Sequence, residues 1–311
     1  MKRTWLAAVV VFGGIALQCS SSDDEGSRPK SDAGLGGNGA TGGSAGSSGG
    51  SSGSGGSSGM ASGGSAGTTD ASVDPCVSAL FCDDFEKQDI GMPPSGAWSA
   101  STNGNGSVSV RSERARSGAQ AVRFSTDGKA NYQRAFIKLT GAPVFPLPQN
   151  VLFGRMMVWL SSSPNDGVHW TMIQGQGPVP NESYAGLYRY GGQHHDAQGG
   201  SRLMANYETS GASSDCWQHS QTAMPTATWA CVEWRYDGDG DEMQFWLDGQ
   251  ELTDLHVVGK GSGCIGNDTG GNWYGPKFEE LYLGFESYQA DAAREVWIDD
   301  VVIDDARVGC P

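Results

Sequence analysis

The chain has 311 residues, a formal net charge of −15 and seven cysteines. This acidic balance argues against nucleic acid as a partner, because nucleic-acid-binding proteins carry basic patches. The sequence contains no P-loop and no zinc-type pairs of cysteine motifs, so it gives no support for nucleotide-dependent or zinc-dependent functions.

The N-terminal segment has the pattern of an export signal. Lys2 and Arg3 precede an apolar stretch over residues 5–17, which is shorter than the roughly 20 residues that span a bilayer. The stretch ends next to Cys19 in a context that resembles a bacterial lipobox, so we expect lipidation at Cys19. Ser20 then favours an outer-membrane or cell-surface lipoprotein. Ordinary cleavage with free secretion is the alternative.

The sequence predicts three segments of different character. Residues 1–19 form the signal, residues 20–74 a disordered linker and residues 75–311 a folded domain. The linker consists mainly of Gly, Ser, Ala and Thr, which bury too little apolar surface to offset the entropy lost on ordering. Such a linker spans roughly 40 Å on average and acts as a tether.

Segments of alternating or strongly apolar character recur along the folded part and predict an all-β domain. Turn signals such as Asp127-Gly128 and Asp248-Gly249 separate them, and no long segment shows a helical period. This pattern favours two packed antiparallel sheets. The predicted strands include residues 120–124, 151–160, 229–236, 243–247, 281–286 and 296–303.

The segment over residues 229–236 predicts which side chains share a face. Alternation places Val232, Trp234 and Tyr236 on one face, and the residues between them on the other. The acidic run over residues 237–242 imitates the start of an EF-hand loop, but it lacks the required Gly and Glu positions. We therefore interpret it as a hairpin turn.

Six cysteines remain in the folded part, and an even number in an exported protein indicates up to three disulfides. Their spacing does not suit metal ligation. We expect Cys216 to pair with Cys231 across a short connection, whereas Cys310 could reach the N-terminal segment or the Cys264 loop. The six residues are Cys76, Cys82, Cys216, Cys231, Cys264 and Cys310.

The two ends of the folded part match each other. Residues 81–86 and residues 297–304 both combine acidic with apolar side chains, as in the paired first and last strands of a jelly roll. Acidic residues crowded onto such a pair repel one another unless a cation lies between them. A solvated acidic edge that prevents sheet aggregation is the alternative.

The order of the motifs resembles the concanavalin A-like jelly-roll superfamily. Within it, the chain is similar to the core domain of the family of fungal cellulose-induced secreted proteins, which is related to glucuronan lyases and other polysaccharide lyases. The resemblance covers most of residues 75–311, and it implies a carbohydrate-active jelly roll. Residues 81–86, 117–124, 233–249 and 296–304 carry it.

The resemblance also implies a structural Ca²⁺ site at the end strands. The matching positions are Glu86, the loop over residues 112–117 with Ser117, and either Asp299 or Asp300. Oxygen ligands of this kind suit Ca²⁺, which takes six to eight of them. Because strand alternation places Asp299 and Asp300 on opposite faces, we expect only one of the two to be a ligand.

A polar and aromatic cluster in the middle of the domain predicts the functional surface. For β-elimination on a uronic acid, Arg189 would neutralise the carboxylate, His169 would remove the C5 proton, and Tyr190 or Tyr288 would protonate the leaving oxygen. These roles rest on residue type and on the resemblance. The expected substrate-binding residues are Trp170, Gln174, Gln193, His194, Asn206 and Tyr207.

Other chemistries are less well supported. Adjacent residues on a strand point to opposite faces, which disfavours a metal pair made of His194 and His195. A glycoside hydrolase needs two facing carboxylates, and nothing in the sequence brings Glu208 and Glu233 together.

We expect a monomer whose partner is extracellular polysaccharide. Three functions are compatible with the sequence. A groove lined by His169, Arg189 and a tyrosine favours a lyase. A groove of tryptophans without a base favours a non-catalytic binding module. A flat surface without a groove favours a structural or adhesive surface protein.

Overall fold

Seventeen short strands, joined by turns and three single 3₁₀ turns, make up the computed structural model, which describes residues 75–311. All strand pairings are antiparallel. In residues 75–311, no helix is long and apolar enough to cross a membrane. The predictions of a signal, of lipidation at Cys19 and of the linker over residues 20–74 lie outside the described residues.

Sheet I has nine strands. Seven of them follow the order β13-β12-β11-β6-β17-β4-β3, while β1 pairs with β17 and β14 pairs with β12. The strands are β1 (Phe81–Asp83), β3 (Ser107–Arg111), β4 (Ala121–Thr126), β6 (Val151–Leu160), β11 (Trp229–Asp237), β12 (Glu242–Leu247), β13 (Gln250–Glu251), β14 (Val257–Val258) and β17 (Arg294–Asp304).

Sheet II has eight strands in the order β15-β10-β9-β8-β7-β16-β5-β2. It carries most of the predicted functional residues. The strands are β2 (Trp98–Asn103), β5 (Gln133–Thr140), β7 (Trp170–Pro178), β8 (Ala185–His195), β9 (Ser201–Ser210), β10 (Asp215–Ala223), β15 (Gly263–Ile265) and β16 (Glu280–Ser287).

The inner faces of the two sheets enclose one apolar core, so the predicted all-β sandwich is confirmed. Val232, Trp234 and Tyr236 point into this core from β11, as alternation predicted. Gly154 lies opposite Trp234 in the register, and a Cβ atom on Gly154 would lie 2.0 Å from the Trp234 ring. Glycine at this position therefore makes room for the indole.

Two other predictions from local pattern are confirmed. The acidic run forms the turn of the β11–β12 hairpin, in which Asp237 pairs with Glu242. The first and last strands also pair, with Phe81 opposite Ile303 and Asp83 opposite Val301. This pairing brings both ends of the domain to the same region of sheet I.

The six cysteines form three disulfides, but the expected Cys216–Cys231 pair is wrong. Cys216 bonds to Cys264 between the adjacent strands β10 and β15, and Cys231 bonds to Cys310 after the last strand. Cys76 bonds to Cys82. Cys216 and Cys231 are separated because β10 and β11 belong to different sheets.

Candidate functional site

The outer face of sheet II, meaning the face turned away from the core, carries a continuous row of polar and aromatic side chains. The register aligns one residue from each of six adjacent strands, and strand alternation puts them on one face. In order from β5 to β10 they are Lys138, Tyr282, Gln174, Arg189, Asn206 and Trp217.

His169 and Tyr288 lie beside this row, where β7 begins and β16 ends. Their rings stack with centroids 4.5 Å apart and an angle of 19° between the planes. The Tyr288 backbone N–H donates to the His169 carbonyl oxygen at 3.0 Å, and the His169 N–H donates to Oε1 of Gln289 at 2.7 Å. Backbone pairing therefore positions the imidazole and the phenol together.

A buried network holds the Tyr288 hydroxyl. It donates to Oε2 of Glu286 at 3.1 Å, and the fully buried Glu286 carboxylate forms an ion pair with Arg134 at 2.7 Å. Burial, together with the Glu286 charge, raises the pKa of Tyr288 above its usual value. The phenol therefore keeps its proton at neutral pH and can donate it.

Arg189 lies beneath the surface of the row and is only 4% exposed. Its Nε donates to Oε1 of Gln174 at 2.7 Å, and its Nη1 forms an ion pair with Glu208. Burial by itself would lower the pKa of Arg189, but Tyr288, Glu208 and Glu286 outweigh it and raise that pKa. Arg189 is thus a fixed positive charge at the centre of sheet II.

His169 is neutral over the physiological range. Burial, then the positive charge of Arg189 and the nearby His219, lowers the pKa of His169 to about 3. Its buried Nε2 atom has no hydrogen-bond partner within the described part of the chain. A neutral imidazole with an unpaired nitrogen can accept a proton or a hydrogen bond from a ligand.

A cleft of about 390 Å³ opens over this face. Four of the residues named from the sequence line it, namely His169, Gln193, His194 and Asn206, and Gln289 and Met204 contribute to its wall. Gln193 and His194 are neighbours in sequence, yet both line the cleft because the pairing of β8 with β9 shifts register after Gly192. A second depression, of about 480 Å³, lies at Gln176 and Glu280 on the same face.

The predicted calcium residues converge on one loop at sheet I. Both Ala119 and Gln120 donate backbone N–H groups to Oε1 of Glu86 at 2.8 Å. Asp299 is fully buried, and its Oδ2 accepts the Ser117 N–H at 3.2 Å. The Ser117 hydroxyl donates to Oδ1 of Asp300 at 2.6 Å. Both aspartates thus contact the same loop, and the expectation of opposite faces is wrong.

The cause is an irregularity in β17. Its pairing with β6 shifts register between Asp299 and Val302, and Asp300 has a φ of 50°. Burial raises the pKa of Asp299 to about 7, with Asp300 adding to it. In residues 75–311, none of Glu86, Asp299 and Asp300 forms an ion pair with a basic side chain.

Carboxylate oxygens are of the donor type that a hard cation takes, and Asp299 is the buried one of the three. The three carboxylates do not form a tight group by themselves. In residues 75–311, only Cys231, Glu233 and Cys310 bring three possible ligand atoms within 4.8 Å of one another, and those two cysteines share a disulfide. Oxygens of the loop over residues 112–117 would have to complete a calcium site.

Comparison with known proteins agrees with this architecture. The family model for the core domain of Cip1-like proteins, within the polysaccharide lyase-like group, matches residues 84–306. The chain belongs to this Cip1-like family.

Solved structures are similar to this chain. The cellulose-induced protein Cip1 is 22% identical, with 74% of this chain and all of that chain covered and a TM-score of 0.54. An endo-β-1,4-glucuronan lyase from the fungus Trichoderma reesei is 12% identical, with coverage of 73% and 96% and a TM-score of 0.47. No protein of curated function gives a significant match.

Three predicted site residues lie on the wrong face of this Cip1-like domain. Trp170, Tyr190 and Tyr207 are buried in the core, where their neighbours Thr171, Arg189 and Asn206 have taken the outward positions. The Trp170 indole N–H donates to the Ser201 hydroxyl, and the Tyr190 hydroxyl donates to the Leu255 carbonyl oxygen. Of the two candidate acids, only Tyr288 contacts the cleft residue His169.

Three cleft residues escaped sequence reasoning. Asp215, Trp217 and His219 come from β10 and alternate onto the outer face. Their spacing of two residues was the signal that could have identified them. His219 lies on β10 with its ring 5.3 Å from that of His194.

The carboxylates considered for glycoside hydrolysis are far apart in the topology. Glu208 belongs to β9 of sheet II, whereas Glu233 belongs to β11 of sheet I and forms an ion pair with Arg307 at 2.8 Å. They do not face each other across a cleft, so the structure gives no support to that pair.

Proposed function

We propose that this Cip1-like domain binds an extracellular polysaccharide along the outer face of sheet II and cleaves it at a uronic acid by β-elimination. The observation that carries the proposal is the stacking of the cleft residue His169 on Tyr288, whose ring centroid lies 5.7 Å from the buried guanidinium carbon of Arg189. The pair combines a neutral proton acceptor with a protonated donor, and β-elimination needs both.

In the proposed reaction, the imidazole of His169 removes the C5 proton of the uronate, and the electron pair forms the C4–C5 double bond. The C4–O bond breaks, and the Tyr288 hydroxyl gives its proton to the leaving oxygen. The positive charge of Arg189 stabilises the negative charge that develops on the uronate carboxylate. A bound carboxylate beside His169 would also raise the low pKa of the imidazole, which makes it a better base.

Non-catalytic carbohydrate binding is the second candidate, and a specific observation favours it. Arg189 already forms an ion pair with Glu208, Arg134 with Glu286 and Lys138 with Glu280. The cations of this face are therefore balanced by carboxylates, which suits neutral sugars that bind by stacking and hydroxyl contacts.

Further proposals concern a bound ion, the oligomeric state and the location of the protein. We propose that Ca²⁺ at Glu86, Ser117 and Asp299 or Asp300 fastens the loop over residues 112–117 to the end strands. We further propose that the protein is exported as a monomer and held at the outer membrane or cell surface by a lipid on Cys19. Three disulfides are typical of exported proteins and support export, though not the anchor.

The decisive experiment follows the ultraviolet absorbance of the unsaturated uronate that β-elimination leaves on the product. The full chain is tested against a panel of uronic-acid polysaccharides beside His169→Ala and Tyr288→Phe. Each substitution should lower kcat by at least about 100-fold, the usual contribution of a proton-transfer group.

The matched controls are His256→Ala and Tyr274→Phe, which replace the same residue types outside the cleft. Full activity in both site variants would overturn the proton-transfer roles. A flat trace with retention of the protein on one of the polymers would establish the binding module in place of the lyase.

A further inference from the structure

One end of the cleft differs in chemistry from the end that holds His169. Asn206, Asp215 and Trp217 line it, on the adjacent strands β9 and β10. Trp217 lies in the same register row as Arg189, two strands away, which corresponds to about 10 Å across a sheet. A chain that crosses the strands would place neighbouring sugars at these two positions.

Asn206 and Asp215 offer hydrogen-bond acceptors at this end. Asn206 is 2% exposed, and its Nδ2 donates to Oδ1 of Asp215 at 2.7 Å and to the Cys216 carbonyl oxygen at 2.9 Å. Since both partners only accept, the amide orientation is fixed, and the Asn206 Oδ1 atom is buried without a partner. The second oxygen of the Asp215 carboxylate adds another acceptor.

Among the described residues, no lysine or arginine lines the cleft to receive an acidic sugar. In residues 75–311, no lysine or arginine forms an ion pair with Asp215. Glu208 lies opposite Asp215 in the register and is already the partner of Arg189. Arg202, on the same strand as Asn206, donates to Gln221 and does not line the cleft.

We infer that Asn206, Asp215 and Trp217 form a subsite for a neutral sugar, next to the uronate position at His169. The Trp217 indole offers a stacking surface, and the hydroxyl groups of the sugar donate to the two acceptors. A uronate here would bring its carboxylate against Asp215 and be repelled. The inference rests on the proposed β-elimination and narrows its substrate to chains in which uronates alternate with neutral sugars.

The test compares two polymers, a homopolymer of glucuronate and a polymer in which glucuronate alternates with a neutral sugar. The full chain should have the higher kcat/KM on the alternating polymer. Asp215→Asn keeps the shape of the side chain and removes its charge, so it should raise kcat/KM on the homopolymer by about tenfold. Trp217→Ala should lower kcat/KM on the alternating polymer by a similar factor.

Asp305→Asn is the matched control, because it removes the same charge from an exposed position beyond the end of β17. Calorimetric titration with neutral tetrasaccharides of glucose, xylose and mannose is a readout that does not depend on cleavage. Binding that is lost in Trp217→Phe and Trp217→Ala supports the subsite, even if every polymer stays intact and β-elimination fails. Equal cleavage of both polymers, unchanged by Asp215→Asn, overturns the subsite while β-elimination stands.

Discussion

At the scale of single residues, the low pKa of His169 makes the free energy of unfolding depend on pH. The unfolded chain protonates this imidazole below about pH 6.5, whereas the folded protein does so only near pH 3. Between these values the unfolded state binds more protons, so the free energy of unfolding falls as pH decreases through that window. The total loss from this one group should be about 2–4 kcal/mol.

Denaturant titrations over this pH range test the effect. His169→Gln should flatten the dependence of the unfolding free energy on pH, whatever it does to the absolute stability. Parallel slopes for the wild type and His169→Gln would show that His169 titrates normally in the folded state.

At the residue scale, the sequence named polar residues of the outer face but not the direction of every side chain. Gln174, Arg189 and Asn206 lie on the outer face of sheet II and His169 lines the cleft, whereas their roles at the site stay predictions. Tyr190 was assigned to the same face and lies in the core. Strand β8 is buried on both sides over most of its length, so burial does not separate the inward Tyr188 and Tyr190 from the outward Arg189.

At the scale of strands, Gly154 controls how β6 and β11 fit against the core. A Cβ atom there would overlap the Trp234 indole at 2.0 Å, so Gly154→Ala should cost about 3 kcal/mol of unfolding free energy through overpacking. Trp234→Phe on its own should destabilise by leaving a cavity.

Thermal or denaturant unfolding of both single variants and the double variant measures the coupling. The double variant should lose less unfolding free energy than the two single variants lose together, because the smaller phenyl ring leaves space for the added methyl group. If the costs of the two single substitutions simply add, β6 relieves the overlap by moving. That result would contradict the fixed register of Gly154 opposite Trp234.

The calcium prediction concerns strand β17 and the loop at Ser117. If Ca²⁺ neutralises Glu86 and the buried Asp299, its removal by EDTA should lower the unfolding free energy by about 2–3 kcal/mol at calcium concentrations near 100 times Kd. Melting curves with and without EDTA measure this change.

Glu86→Ala should abolish the sensitivity to EDTA. Glu182→Ala, which removes an exposed carboxylate far along the chain from this loop, should keep it. Identical melting curves in calcium and in EDTA would count against the ion and would support a solvated acidic edge.

Element-scale prediction from sequence worked wherever a pattern of period two was intact. The β11–β12 hairpin and the pairing of β1 with β17 follow from such patterns. It failed where a strand is irregular, as at Asp299–Val302, because a bulge changes which face a side chain takes without leaving a clear mark in composition.

At the scale of the whole molecule, the disulfides decide how far the chain ends are constrained. The Cys231–Cys310 bond closes 79 residues, and the Cys76–Cys82 bond closes only 6. Sequence spacing predicted the number of bonds but not this connectivity, because strands that are neighbours in sequence, such as β10 and β11, lie in different sheets. Only the sheet order reveals that Cys310 returns to β11.

The two bonds should differ in their effect on stability. In the chain-entropy description, a cross-link stabilises by restricting the unfolded state, and this restriction grows with the length of the closed loop. Replacing both Cys231 and Cys310 by serine should therefore cost about 4–5 kcal/mol, whereas replacing Cys76 and Cys82 should cost about 2 kcal/mol. Denaturant unfolding of the two double variants measures both costs. Equal costs would indicate that contacts near Cys310, such as the Arg307–Glu233 ion pair, hold the C-terminus without the covalent bond.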